Sequence, residues 1–182
     1  MNKYLIVSDI HGDYDSFKKI VNIYRRDNFT KLILLGDIIY HGPRNPLVNG
    51  YDPKRVYELL NTFDSKEVIL IRGNCDAEVD QMVIDIPFHH RKTIKINNRT
   101  IHLVHGHHLE EQKKYFRSGD IVFYGHTHEY KIENIDGIYY INPGSISLPK
   151  VNKERTYIIF DSSSVKIIDL DNNKVIKESL LD

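Results

Sequence analysis

A single cysteine, Cys75, is the scarcest useful group in this chain of 182 residues. One thiol closes no internal disulfide, so packing alone must hold the fold, and a reducing compartment suits it best. Net charge is absent too, because 25 Lys and Arg balance 25 Asp and Glu. With no basic surplus and no dense Lys/Arg run, no specific nucleic-acid partner is expected. With no acidic block, no disordered tail is expected either. Long apolar runs are also missing. The opening "MNKYLIVSDIHGDYD" has only four apolar residues in a row before charge begins. That is neither a signal peptide nor a membrane span, so a cytoplasmic protein with no membrane partner is expected. No linker, internal repeat or low-complexity stretch divides residues 1–182, which read as one domain.

What is present fits a soluble globular chain. Hydrophobic residues make up 41% and charged residues 27%, at a length that buries a sizeable core. Ten histidines are many for this length, and several stand beside Gly or Asp, a first hint of a metal site. The segments "KYLIVSD" (3–9), "KLILLGD" (31–37) and "EVILIRGN" (67–74) are short apolar runs that end in polar residues. Such near-continuous Leu/Ile/Val runs suit strands of a parallel sheet, buried on both faces. Between them, Phe17, Ile20, Val21 and Tyr24 form one helical stripe, and Val56, Leu59, Leu60 and Phe63 a second. Asp52 can cap the second helix and Pro53 suits its first position. The first 74 residues thus read β-α-β-α-β.

The second half changes character. A hairpin is expected about Asn97-Asn98 and another about Asp136-Gly137, with the buried strand "DIVFYGHTH" between them. Three short strands follow in "RTYIIFDSSSVKIIDLDNNKVIKESL". This repetition argues for an antiparallel or mixed second sheet. The expected class is α/β in an α+β sandwich, two mixed β-sheets packed face to face with flanking helices. One long irregular stretch, "IYHGPRNPLVNGYDP" (39–53), has the length of a functional loop.

Polar residues gather at the ends of the expected strands, where open α/β sheets bind ligands. Asp9 and His11 follow the first, Asp37 the second, Asn74 the third, His105 another, and His126 and His128 the strand after that. Two carboxylates, one amide oxygen and four imidazoles are a metal-ligand set. Two divalent ions need roughly eight protein ligand places, and seven residues supply them if one carboxylate bridges. Asp37 is the natural bridge. Oxygen and imidazole donors without thiolate suit manganese, iron or zinc rather than a structural zinc finger. Spacing does not choose among His105, His107 and His108 in "HGHH"; His102 reads as an ordinary strand residue, and His89 and His90 as members of a solvated loop.

The ordered blocks "SDIHGD", "LLGDIIYHGP", "RGNCD", "LVHGHH", "YGHTHEY" and "NPGSISLP" span residues 8 to 149. They resemble the calcineurin-like metallophosphoesterases, and within them the small bacterial phosphodiesterases of the YfcE type. The resemblance implies a double β-sandwich with outer helices and a dinuclear enzyme that hydrolyses a phosphodiester with a metal-bound hydroxide. It implies one metal held by Asp9, His11, Asp37 and His128, and another by Asp37, Asn74, His105 and His126. That selects His105 in "HGHH" and leaves His107 and His108 at the rim. Asp37, Asn74 and His105 stand closest to the chemistry. Manganese is the first expectation, with Fe2+, Zn2+ and Ni2+ as alternatives. A small phosphodiester substrate and a homo-oligomer, dimer or tetramer, are implied as partners.

The chain departs from that family at Cys75. Many members have a histidine there, which protonates the leaving oxygen and is oriented by the next acid. A thiol is a poor acid at its ordinary pKa, and Cys75 reads as a small buried residue behind Asn74. Asp76 is left without the partner it would orient. Good leaving groups need protonation least, so diesters with stabilised leaving groups are expected to be favoured over simple phosphomonoesters. In the long loop, His41 and Arg44 are candidate substrate contacts, and Arg44 suits bidentate pairing with a phosphate. The alternative from another class is a non-catalytic or weakly catalytic protein-binding scaffold of the same fold.

Overall fold

A computed structural model describes residues 2–151 and 153–181. Strand β1 (Lys3–Val7) leads to helix α1 (Tyr14–Arg26), β2 (Lys31–Leu34), α2 (Pro53–Leu60) and β3 (Val68–Ile71). This is the βαβαβ start expected from the periodicities. Asp13 caps α1 by accepting from Ser16 N at 3.0 Å, and Asp52 caps α2 by accepting from Arg55 N at 3.1 Å. Each cap satisfies a backbone donor that the first helical turn leaves free. Phe17, Ile20, Val21 and Tyr24 are all buried.

Strands β4 (Phe88–His89), β5 (Arg91–Ile96), β6 (Arg99–Val104), β7 (Ile121–Phe123), β8 (Tyr130–Ile135) and β9 (Ile138–Pro143) come next. A short helix α3 (Leu109–Gln112) interrupts them, and β10 (Thr156–Asp161), β11 (Ser164–Asp169) and β12 (Val175–Leu180) close the order. Both expected hairpins form. Asn97 and Asn98 have φ of 47° and 66°, and Asp136 and Gly137 have 53° and 80°, the left-handed pairs of tight hairpin turns.

The first sheet runs β12-β11-β10-β1-β2-β3-β4 and the second β5-β6-β7-β9-β8. Strand-turn-strand repetition predicts a second sheet for all the later strands, and the structure differs. Strands β10, β11 and β12 return to the first sheet, β10 pairing antiparallel with β1 through Lys3↔Asp161 to Ile6↔Ile158. Alternation identifies a strand but not the sheet edge it covers. His89 is also corrected, since it pairs with Ile71 in β4 instead of lying in a solvated loop, while His90 is exposed as expected.

Both faces of the central strands are covered. Leu5, Val7, Leu32 and Leu34 pack with α1 and α2, while Tyr4, Ile6, Ile33 and Leu35 pack against Leu103, Phe123 and Ile141 of the second sheet. That explains why these strands read as continuous apolar runs. Burying one such side chain contributes roughly 1.5–3 kcal/mol. The neighbours β1, β2 and β3 are parallel, as are β6, β7 and β9, so each group delivers its carboxyl ends to one side.

Candidate metal centre

The residues singled out at strand ends converge there. Asp9 and His11 follow β1, Asp37 follows β2, Asn74 follows β3, His105 follows β6, and His126 and His128 follow β7. Five of the seven adopt left-handed backbone: Asp9, His11, Asp37, His126 and His128, with φ between 48° and 70°. Such conformations cost roughly 1–3 kcal/mol each and persist only where the surroundings enforce them. Close backbone approach does so here. A Cβ on Gly73 would sit 2.5 Å from Asp37 N and overlap its carboxylate, and one on Gly125 would lie 2.9 Å from Asp9 Oδ2. Only glycine fits either position.

The functional atoms fall into two groups that share Asp37. In the first, His11 Nε2 lies 3.6 Å from Asp37 Oδ2, 3.8 Å from Asp9 Oδ1 and 3.2 Å from His128 Nε2, and His128 Nε2 lies 3.4 Å from Asp9 Oδ1. In the second, His105 Nε2 lies 3.5 Å from Asp37 Oδ1 and 3.1 Å from Asn74 Oδ1, with the His126 ring 5.2 Å from that of His105. The two oxygens of Asp37 therefore face opposite groups.

The other nitrogens of three rings are held by main chain. Nδ1 of His11 meets Tyr40 O at 2.9 Å, Nδ1 of His105 meets Leu35 O at 2.6 Å, and Nδ1 of His128 meets Leu148 O at 2.6 Å. A carbonyl only accepts, so each Nδ1 carries a proton, and each ring in its neutral form turns its Nε2 lone pair inward. Second contacts of this kind fix the tautomer of a ligating histidine. Asp9 is steadied in turn. His126 N donates to its Oδ2 at 2.9 Å, and the hydroxyls of Ser145 and Ser147 donate to its carbonyl at 2.7 and 2.9 Å. Its other oxygen, Oδ1, is buried without a hydrogen-bond donor. An acceptor-only atom facing inward imidazole lone pairs is the environment of a cation, so these residues fit divalent metal.

Burial raises Asp37, but His105 beside it overrides burial and holds the carboxyl well below the usual range. Burial lowers His105, yet the hydrogen bond with Asp37 pushes it up to about 9 in the metal-free protein.

A cavity of about 650 Å³ opens over both groups, lined by His11, Asp37, His128, Asn74 and His126 and by Tyr40, Arg44 and Cys75 among others. Arg44 is there as expected. His41 is not. Its Nδ1 lies 3.3 Å from the Tyr51 hydroxyl, and Tyr40 lines the cavity in its place. Lys150 lines the cavity too, a residue the sequence reading missed, since one lysine after "NPGSISLP" has no signature of its own. Cys75 also needs correction. It is half-buried and borders the cavity instead of lying behind Asn74, with its N–H donating to Asp37 Oδ1 at 2.8 Å. Burial and the nearby Asp37 push the thiol up to about 12, so it stays neutral. Asp76 has work of its own. Its carboxylate accepts from the N–H groups of Asp37, Ile38 and Gly73 at 2.7–2.8 Å, joining the loops after β2 and β3. Burial nevertheless raises its pKa to about 6. His107 and His108 are exposed at the rim, the His107 ring 5.4 Å from that of His105.

Comparison with known proteins adds a family to this geometry. The model of the calcineurin-like phosphoesterase superfamily domain matches residues 3–164. Phosphodiesterase YfcE of Escherichia coli strain K12 is 35% identical over 180 residues, covering 98% of this chain and 97% of its own. The solved structure of YfcE, described as a phosphoesterase from E. coli, superposes with a TM-score of 0.93 at 34% identity, covering 99% of this chain and all of that one. Vps29 of Entamoeba histolytica, solved as a complex with zinc, shares the fold with a TM-score of 0.67 at 18% identity, covering 99% of each chain. The chain belongs to the calcineurin-like phosphoesterase superfamily.

Proposed function

We propose that this chain hydrolyses small phosphodiesters at two divalent ions. Asp9, His11, Asp37 and His128 would hold one ion, and Asp37, Asn74, His105 and His126 the other. The observation that carries this reading is the buried, donorless Oδ1 of Asp9, which faces two imidazole nitrogens at 3.4 and 3.8 Å. Nitrogen and oxygen donors suit manganese, with iron, zinc and nickel as alternatives. Bound ions of this kind supply Lewis acidity and ready a water for attack at neutral pH.

The protein's own groups do the rest. Asp37 would help hold both ions, and Asn74 and His105 would help hold the second. Arg44 offers two parallel donors to a phosphate oxygen pair, and Lys150 adds a point charge across the same cavity. Diester cleavage is supported by the family and by a full-length relative that is a phosphodiesterase. Cys75, a neutral thiol, gives a leaving oxygen little help, so stabilised leaving groups are favoured and simple monoesters turn over poorly. Seven filled donor positions give a pure scaffold role no support.

Counting bound metal tests this reading without relying on activity. Elemental analysis should find two manganese ions per wild-type chain. Asp37→Asn should lose both, and His128→Ala should retain one. A folded wild-type chain that binds one ion or none would defeat the dinuclear assignment.

A further inference from the structure

A second cavity adjoins the metal cleft, and the mechanism above makes no use of it. It measures about 320 Å³ and is lined by Ile39, Tyr40, Tyr51, Pro53, Cys75, Ala77 and Asp80. Its walls are mostly apolar carbon. Two of its polar groups already have protein partners, Tyr51 OH lying 3.3 Å from His41 Nδ1 and Asp80 Oδ2 accepting from Ala77 N at 2.9 Å. Tyr40, Cys75 and Ala77 line both cavities, so the apolar pocket opens directly from the place where a phosphate would lie. Roughly 150 Å³ of apolar cavity accommodates a benzene ring.

From this continuity we propose that the pocket seats one ester substituent of the substrate, and that the substituent is a planar aromatic group. This deepens the phosphodiesterase reading and rests on it for the placement of the phosphate. Three features select the shape. Two tyrosines line the pocket, and aromatic side chains favour a ring by stacking or edge contact. The apolar lining rewards loss of water from carbon surface. A glycerol or sugar substituent would bring its hydroxyls against walls that are mostly apolar carbon, which costs binding. Cys75 belongs to the same design. A half-buried neutral thiol behaves as a small apolar surface, and here it forms the shared wall between phosphate and ring.

The test is calorimetric binding to the manganese-loaded protein, with paired ligands. Phenylphosphonate is compared with methylphosphonate, adenosine 5′-monophosphate with ribose 5-phosphate, and inorganic phosphate reports the metal cleft alone. In wild type, at least one aromatic ligand should bind about tenfold more tightly than its partner, and the pair that shows the preference identifies the source as simple aryl or nucleobase. Ile39→Phe, which narrows the apolar pocket at a residue that does not line the metal cleft, should abolish that preference while phosphate still binds. Tyr51→Leu, which removes one wall, should reduce it severalfold and serves if Ile39→Phe does not fold. Equal affinity within both pairs in wild type, or a preference that survives pocket narrowing, would overturn the proposal. Hydrolysis of a diester is scored separately. Aromatic preference with no turnover would leave the pocket standing and count against the hydrolase reading instead.

Discussion

Asp37 joins the two halves of the site, and its partnership with His105 sets how the metal-free protein responds to pH. His105 is raised from 6.5 to about 9, so the protonated ring favours the folded state. That stabilisation is complete below about 6.5 and is lost as pH climbs through about 9. A metal ion held by His105 as proposed would have to displace the same proton. Apparent manganese affinity should therefore rise with pH across this window, by up to about tenfold per unit for one proton. Titration calorimetry in buffers of different ionisation enthalpy would measure the released proton, and affinity independent of pH would exclude the pairing. Gly73→Ala forces a methyl group into the Asp37 carboxylate. It should abolish metal binding while far-ultraviolet circular dichroism keeps the strand and helix signal. Cys75→His places a stronger acid at the cavity wall and should raise monoester turnover relative to diester; an unchanged ratio of kcat/KM values would remove the leaving-group argument.

The elements deliver these residues because parallel strands end in loops rather than in turns back to the sheet. Asp76 ties two of those loops with three backbone hydrogen bonds. Asp76→Asn presents an amide donor to N–H groups and should cost about 2 kcal/mol in urea unfolding, together with weaker metal binding. Phe123, fully buried between the sheets, should cost about 3–5 kcal/mol on substitution by Ala. Much of this framework could be read beforehand. Continuous apolar runs identified the central strands, and helical stripes identified α1 and α2. Gly and Asn beside Asp and His marked the strand ends that bring Asp9, Asp37 and Asn74 together. Three things were hidden for physical reasons. The edge that β10 covers depends on which neighbour is left unpaired, which alternation does not encode. The carbonyls of Leu35, Tyr40 and Leu148 that orient the imidazoles belong to main chain and leave no trace in residue type. Cys75 and His41 sit on irregular backbone, where side-chain direction has no period to follow.

Across the molecule, the proposed metal ligands lie where the carboxyl ends of both sheets meet, so metal bound there would couple to the packing of one sheet on the other. Ions that bind only the folded state add to stability by mass action, about 2.7 kcal/mol at a hundredfold excess over the dissociation constant. Chelation should lower the melting temperature and added manganese should restore it. No helix among the described residues is long and apolar enough to cross a membrane. The most direct test is hydrolysis of bis(4-nitrophenyl) phosphate by metal-stripped protein, titrated with manganese, with 4-nitrophenyl phosphate run alongside. The expected result is diester turnover that rises until two ions are bound per chain and then levels, with far weaker turnover of the monoester. Folded, manganese-loaded protein that leaves the diester intact would contradict the assignment.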